Sequence, residues 1–515
     1  MTTFLPLFAI QSVWLTPFWL FTLGVTLGLI GLALIGGLLF GAGKLLPKIR
    51  PFTSEVPIAV REGLLMPVLI VAAILAALTV LPPVLDLIDM PTVSYGGYLR
   101  SLARLPLVHD QEFKIDVAAN QQPPGAPPAP QRIPLQFRAA EVASLEFKSP
   151  QEALIKIPED SATRANEAIV LTPTGSWKYV RGSKVENPFA GNVTAIDVLT
   201  DSKQPFTIEA VVRMDVEFPQ VRFSLEIAAA FLIFFAGYLL IRFAFRKVSA
   251  VAVASCKEGM GQPLFYLLLA LGLFCLLAFI FLPQYTFGED IKMYKSAGLT
   301  LILILTLLVS LWTASGSMAE EIEGKTAVTV LSKPIGRRQF VIGKFLGMLG
   351  TAAVMFIVLG VFFLLLTSFK VVYDARESAK GNVIWTECYA EMLSVIPGLL
   401  LAYMEVCVMT AISVALSTRL PMLPNLLICF SIYVLGHLVP LIVVSSIGKF
   451  PLVAFMGQLS ATVLPVLDHF NIEAAISSGA AVPTSYLWYT GAYCVLFSAM
   501  ALLVGLFLFE DRDVA

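Results

Sequence analysis

Nine stretches of this chain are each apolar over about the 20 residues that a helix needs to cross a bilayer core roughly 30 Å thick. They lie at about 17–43, 63–83, 224–244, 264–283, 298–316, 347–368, 395–418, 424–446 and 487–509. Nothing else in the sequence constrains the fold as much. Lipid offers no partner for a backbone N–H or C=O, so runs of this length must satisfy their own backbone groups as helices. Charged residues make up only 14% of the chain, little more than half the share of an ordinary soluble protein. The first run reads as a span and not a signal peptide, because the first basic residue is Lys44 and the run is too long for an h-region. A formal net charge of −1 excludes the basic face that a nucleic-acid binder needs. The six cysteines contain no CxxC pair, so neither a zinc knuckle nor a disulfide framework is expected.

Orientation follows from the positive charge. With the amino terminus outside, the inward segments hold fifteen Lys and Arg, including Lys44, Arg61, Arg242, Lys247 and the cluster Lys325, Lys333, Arg337, Arg338 and Lys344. The short outward segments hold six, Lys292, Lys295, Lys370, Arg376, Lys380 and Lys449. The expected location is therefore the cell (inner or plasma) membrane, multi-pass, with residues 84–222 on the outer face.

Residues 84–222 are polar and Pro-rich, with an irregular loop at Gln121–Gln131. Short runs of alternating, β-branched character follow at Phe113–Val117, Ile133–Phe137, Ala153–Ile157, Ala168–Thr172, Trp177–Val180 and Phe206–Val216. This predicts an inserted β-rich domain, a sandwich, serving as a binding or docking module or as a spacer. The fold class expected is an all-α polytopic membrane protein with that domain inserted. Residues 1–83 supply two additional helices, 223–244 a third, and 245–515 a six-span core with a cytoplasmic hairpin at 317–346. Gly24, Gly28, Gly37 and Gly41 fall at GxxxG spacing, which lets helix backbones approach closely, either within the bundle or across a homodimer.

The hairpin carries the functional reading. The span before it is expected to continue as a helix to about Ser332, break at Pro334 and Gly336, and start a second helix that re-enters the membrane. Glu320, Glu321 and Glu323 precede a basic stretch containing Lys333, Arg337, Arg338 and Lys344. Ala319-x4-Gly324-Lys325-Thr326 fits the loosest form of a phosphate-binding loop, but three glutamates would repel the phosphates, and helical pattern lies on both sides where a strand should precede. A bent, charged hairpin suits a different task, which is to pass a push from a cytosolic partner into the helices on either side.

The runs Glu-Ile-Glu-Gly-Lys-Thr (321–326), Leu-Ser-Lys-Pro-Ile-Gly-Arg-Arg (331–338) and Gly-Lys-Phe-Leu-Gly (343–347) resemble the cytoplasmic signature of type-2 ABC exporter permeases. The branch they most resemble is the one associated with multicopper-enzyme maturation. Four weaker features agree: a basic amphipathic stretch at Arg242–Gly261 in the place of the family's elbow helix, Gly436-His437 in the next-to-last span, Leu464-Pro465 in the outer loop, and the ending Phe-Glu-Asp-Arg-Asp (509–513). The resemblance covers about residues 242–515. It implies a permease subunit, not itself an enzyme, in which two cores form the pathway as a homo- or heterodimer and separate cytosolic ABC ATPase subunits dock on the hairpins. ATP and Mg would then be held by the ATPase, with no cofactor on this chain. By that analogy Glu321, Glu323, Thr326, Pro334, Arg337 and Arg338 make or shape the ATPase contact.

Glu405 and His437 are ionisable residues inside spans, where such groups are costly and functional by default. Counted at 1.5 Å per residue, both fall near mid-membrane on adjacent antiparallel spans, facing the bundle interior. A proton- or ion-coupled transporter using these two residues is one competing reading. A membrane anchor or assembly factor acting through the outer domain is another. The sequence contains no repeat of the kind that coupled transporters show.

Overall fold

The computed structural model describes residues 12–45, 65–80, 95–120, 128–156, 169–173, 175–181, 191–282, 290–323, 336–378, 383–446, 464–472 and 479–510, with a few short stretches between them. The chain divides into two compact units, Val93–Leu225 and the remainder, Met1–Thr92 with Glu226–Ala515.

The larger unit is helical. Its described helices are α1 (Leu15–Leu45), α2 (Leu65–Leu78), α4 (Val221–Ala244), α5 (Arg246–Gly261), α6 (Pro263–Phe281), α7 (Asp290–Glu323), α8 (Arg337–Glu377), α9 (Trp385–Ser417), α10 (Met422–Ser446) and α11 (Thr484–Glu510); α3 (Tyr95–Arg104) belongs to the other unit. Seven of them are long and apolar enough to cross a membrane; α2 (Leu65–Leu78) and the stretch Met422–Leu438 of α10, whose side chains are described, are apolar and shorter. The chain is a multi-pass membrane protein. Every one of the nine apolar stretches is represented by one of these helices; α2 is shorter than its stretch 63–83, whereas α10 covers 424–446 in full.

The 41 residues of α8 span about 60 Å at 1.5 Å per residue, twice a hydrocarbon core, so both of its ends extend beyond the apolar layer. The stretch 369–394, which lies between the apolar runs 347–368 and 395–418, is therefore mostly the end of α8 and the start of α9. Cys388 is accordingly buried. Lys370, fully buried near that end of α8, donates to the Ile280 carbonyl at 3.1 Å and lies over the Tyr373 ring.

Helix α5 lies against α8, and the approach is close because α8 presents glycines. A Cβ on Gly347 would fall 2.6 Å from both the Ala252 carbonyl oxygen and Ser255 Cβ, and one on Gly343 would fall 2.6 Å from Val251 Cβ. Only hydrogen fits there. The glycine stripe of α1 is used in part: a Cβ on Gly28 would meet Phe231 of α4 at 2.9 Å, whereas Gly37 and Gly41 have nothing within 4 Å.

The smaller unit is a β-sandwich. Its strands are β1 (Gln111–Val117), β2 (Gln131–Arg138), β3 (Val142–Lys148), β4 (Ala153–Lys156), β5 (Ile169–Leu171), β6 (Ser176–Val180), β7 (Asn192–Leu199) and β8 (Phe206–Met214). They form two antiparallel four-stranded sheets, β1-β8-β3-β6 and β2-β7-β4-β5. Alternate residues of both sheets, among them Ile115, Leu145, Ile155, Ile196 and Ile208, meet in one apolar core. Six strands coincide with the sequence reading; Ile157 and Ala168 fall outside the described residues. β3 and β7 were not foreseen, and both pair on two sides within their sheets. The sequence of β3, VASLEFK, is rich in helix formers, and its register shifts between Val142 and Ser144. In β7, Ala195 and Ile196 are both buried, which breaks the alternation.

Candidate functional site

Two polar assemblies stand out in the helical unit. The first lies at the root of the hairpin. Lys344, in the first turns of α8, is 2% exposed, and its ammonium donates to Ser317 Oγ of α7 at 2.6 Å. Ser317 Oγ in turn donates to Glu258 Oε2 of α5 at 2.9 Å, and the Lys344 ammonium lies 3.4 Å from the same carboxylate oxygen. Three helices are thus tied by one charge, one hydroxyl and one carboxylate. A buried ammonium is tolerated only when partners of this kind offset its lost hydration. The apolar support is next to it, where Phe340 stacks on Phe509 of α11 at 6.1 Å.

The hairpin residues singled out from sequence are placed unevenly. Glu321 and Glu323 lie on the last turn of α7, while Thr326 and Pro334 fall outside the described residues, as does the expected helical extension to Ser332. Arg337 and Arg338 occupy the first two positions of α8 and are exposed. The Arg337 guanidinium lies 5.8 Å from the centre of the Phe509 ring. The chain turns into α8 at Gly336, whose N–H is accepted by the Gln339 side chain at 3.2 Å. Lys344, Ser317 and Glu258 were not selected as a group from sequence. The only available signal was a lysine set between the two close-packing glycines Gly343 and Gly347, eleven residues beyond Lys333.

The second assembly lies within the bundle. Glu405 of α9 is 2% exposed, and its Oε1 sits 3.4 Å from His437 Nε2 of α10. On the other side of the ring, His437 Nδ1 is 3.2 Å from the Tyr433 carbonyl of the preceding turn. Both side chains line a cavity of about 220 Å³ shared by α7, α9, α10 and the segment 467–472, with Ser296, Thr300 and Asn471 adding polar groups. Two glycines admit the cavity walls: a Cβ on Gly398 would meet Ile472 and Leu299 at 2.8 Å, and one on Gly436 would meet Leu467 and the Pro465 carbonyl at 2.9 Å. The segment containing Leu464-Pro465 is accordingly packed onto α10, and its Val466 N–H donates to the Tyr493 hydroxyl of α11 at 3.0 Å.

A polar seam continues from this cavity toward the hairpin. Ser310 of α7 and Thr410 of α9 hydrogen-bond to one another, and one and a half turns further Asn425 of α10 donates to Ser315 Oγ at 2.8 Å and to the Ser413 carbonyl at 3.1 Å. Asn425, Cys429, Tyr433 and His437 recur every fourth residue, so α10 carries one polar stripe. Asn425 was overlooked from sequence, although that spacing made it legible.

The family profile described as ABC-2 family transporter protein matches residues 145–514. The chain belongs to the ABC-2 family of transporter proteins. No curated protein matches it. The match begins within β3 and so takes in most of the sandwich, well beyond the stretch 242–515 over which the sequence resembles the family's permeases. As a member of that family the chain is a membrane subunit of a transporter. The elbow, the hairpin root and the cavity described above all fall inside the matched region.

Proposed function

We propose that this ABC-2 subunit is the permease of an ATP-driven exporter, with two permease chains forming the pathway and a separate cytosolic ATPase docking on each hairpin. The observation that carries this reading is the Lys344–Ser317–Glu258 junction. It binds both arms of the hairpin to the elbow helix α5, so a displacement imposed at residues 317–346 is passed to α5, α7 and α8 together. Ser317 hydroxyl and Lys344 ammonium are nearly inaccessible to water, which makes this joint stiffer than an exposed ion pair would be. The hairpin faces the cytosol by its basic excess, and that orientation puts residues 84–222 on the outer face.

In this reading Arg337 and Arg338, exposed at the start of α8, meet the ATPase, with Glu321, Glu323, Thr326 and Pro334 shaping the rest of the contact. ATP and Mg belong to the ATPase subunit. The test is charge reversal: R337E/R338E should release the ATPase in a pull-down from membranes in which the wild-type chain retains it. Undiminished co-purification of the double variant would remove the docking assignment.

A further inference from the structure

With Glu405 ionised and His437 neutral, the pair lacks a proton donor. A carbonyl oxygen only accepts, so the 3.2 Å contact between His437 Nδ1 and the Tyr433 carbonyl requires the proton on Nδ1. In the neutral imidazole, Nε2 then presents a lone pair. Facing it at 3.4 Å is Glu405 Oε1, another acceptor, buried and accepting no hydrogen bond among the described residues. Two acceptors face one another across the wall of a cavity. No Lys or Arg lines that cavity among the described residues.

We propose that the cavity binds a protonated primary amine, whose N–H groups bridge Glu405 Oε1 and His437 Nε2. An ammonium supplies what the site lacks: a positive charge for a carboxylate removed from water, and several donors on one atom. Thr300 and Asn471 add polar groups on the facing walls. A volume of about 220 Å³ is below the range of drug-sized pockets and admits a small aminoalkyl group. The same group could arrive as a soluble amine or as the ethanolamine headgroup of a lipid. Binding at this site involves no ATPase contact, so the proposal and the docking assignment stand or fall separately.

The test is equilibrium binding of radiolabelled ethylamine to the full-length chain in phosphatidylcholine nanodiscs. One saturable site per chain is expected, competed by unlabelled ethylamine and not by ethanol. E405Q should weaken binding about tenfold, the order of loss expected when a charge-assisted hydrogen bond becomes a neutral one. A402L, which fills the cavity without touching its charge, should also abolish binding, and serves if E405Q fails to fold. A second arm uses nanodiscs containing phosphatidylethanolamine. If the lipid is the source, native mass spectrometry retains one such lipid per wild-type chain and none per E405Q chain, and ethylamine no longer binds in these discs. Folded wild-type chain that holds neither ethylamine nor the lipid, as when a water or a lone proton bridges the pair, overturns the proposal. So does amine binding that E405Q and A402L leave unchanged.

Discussion

Ser317→Ala should destabilise the hairpin root more than Lys344→Met, although the second change removes a whole charge. The reason lies in what each substitution leaves behind. Lys344→Met deletes the 2.6 Å bond to Ser317 and the 3.4 Å contact to Glu258, but Ser317 keeps Glu258 as its acceptor at 2.9 Å. A thioether of similar length then fills the ammonium's place, and exchanging a buried ion for an apolar isostere is often close to neutral, so a cost of about 1 kcal/mol is expected. Ser317→Ala instead takes from an ammonium that is 2% exposed its shortest described contact, leaving the Glu258 carboxylate at 3.4 Å and the Phe340 ring at 5.9 Å among the described ones. The Glu258 carboxylate is 40% exposed, and a contact screened to that degree returns about 0.5 kcal/mol. The expected cost is about 2–3 kcal/mol, or roughly 5- to 30-fold in the unfolding equilibrium relative to Lys344→Met. SDS-titrated unfolding in mixed micelles, followed by tryptophan fluorescence, gives both values. The double variant completes a cycle whose coupling should be about 1.5 kcal/mol. Equal costs for the two single variants, or coupling below about 0.5 kcal/mol, would show that the three groups do not act as one joint.

Other substitutions discriminate between the packing surfaces. Gly347→Ala drives a methyl into the Ala252 carbonyl and Ser255, so α5 must shift, at a cost of about 1–3 kcal/mol by the same unfolding assay. Gly37→Ala and Gly41→Ala meet nothing within 4 Å and should leave stability unchanged or raise it by up to about 1 kcal/mol; if either instead abolishes cross-linking between two copies, that end of α1 is a dimer contact. In the sandwich, Leu145→Ala empties a fully buried core site at a cost of about 2–5 kcal/mol, whereas Val180→Ala, on an exposed edge position, should change stability by less than about 0.5 kcal/mol. Limited proteolysis of the full chain, read at sites within 93–225, should rank the two in that order.

The sequence alone determined that this chain lives in a bilayer and where its helices cross. The length of an apolar run is a local property, and lipid punishes any error in it at the level of the single segment. It also determined six of the eight strands, wherever alternation was clean, and it identified the family through the short motifs flanking Pro334. Alternation failed for β3 and β7, whose register shift and adjacent buried pair answer to neighbours in the sheet and not to their own composition. The tertiary structure alone decided which polar groups meet. Lys344, Ser317 and Glu258 come from three helices and lie up to 86 positions apart. In the α1 glycine stripe Gly28 finds a partner in α4 whereas Gly37 and Gly41 find none, although all belong to the same GxxxG pattern. Each residue turns a helix by about 100°, so whether a given side chain faces a partner depends on how whole helices rotate and settle against one another. Burial by lipid is written one segment at a time, whereas a contact between segments exists only after all of them have packed.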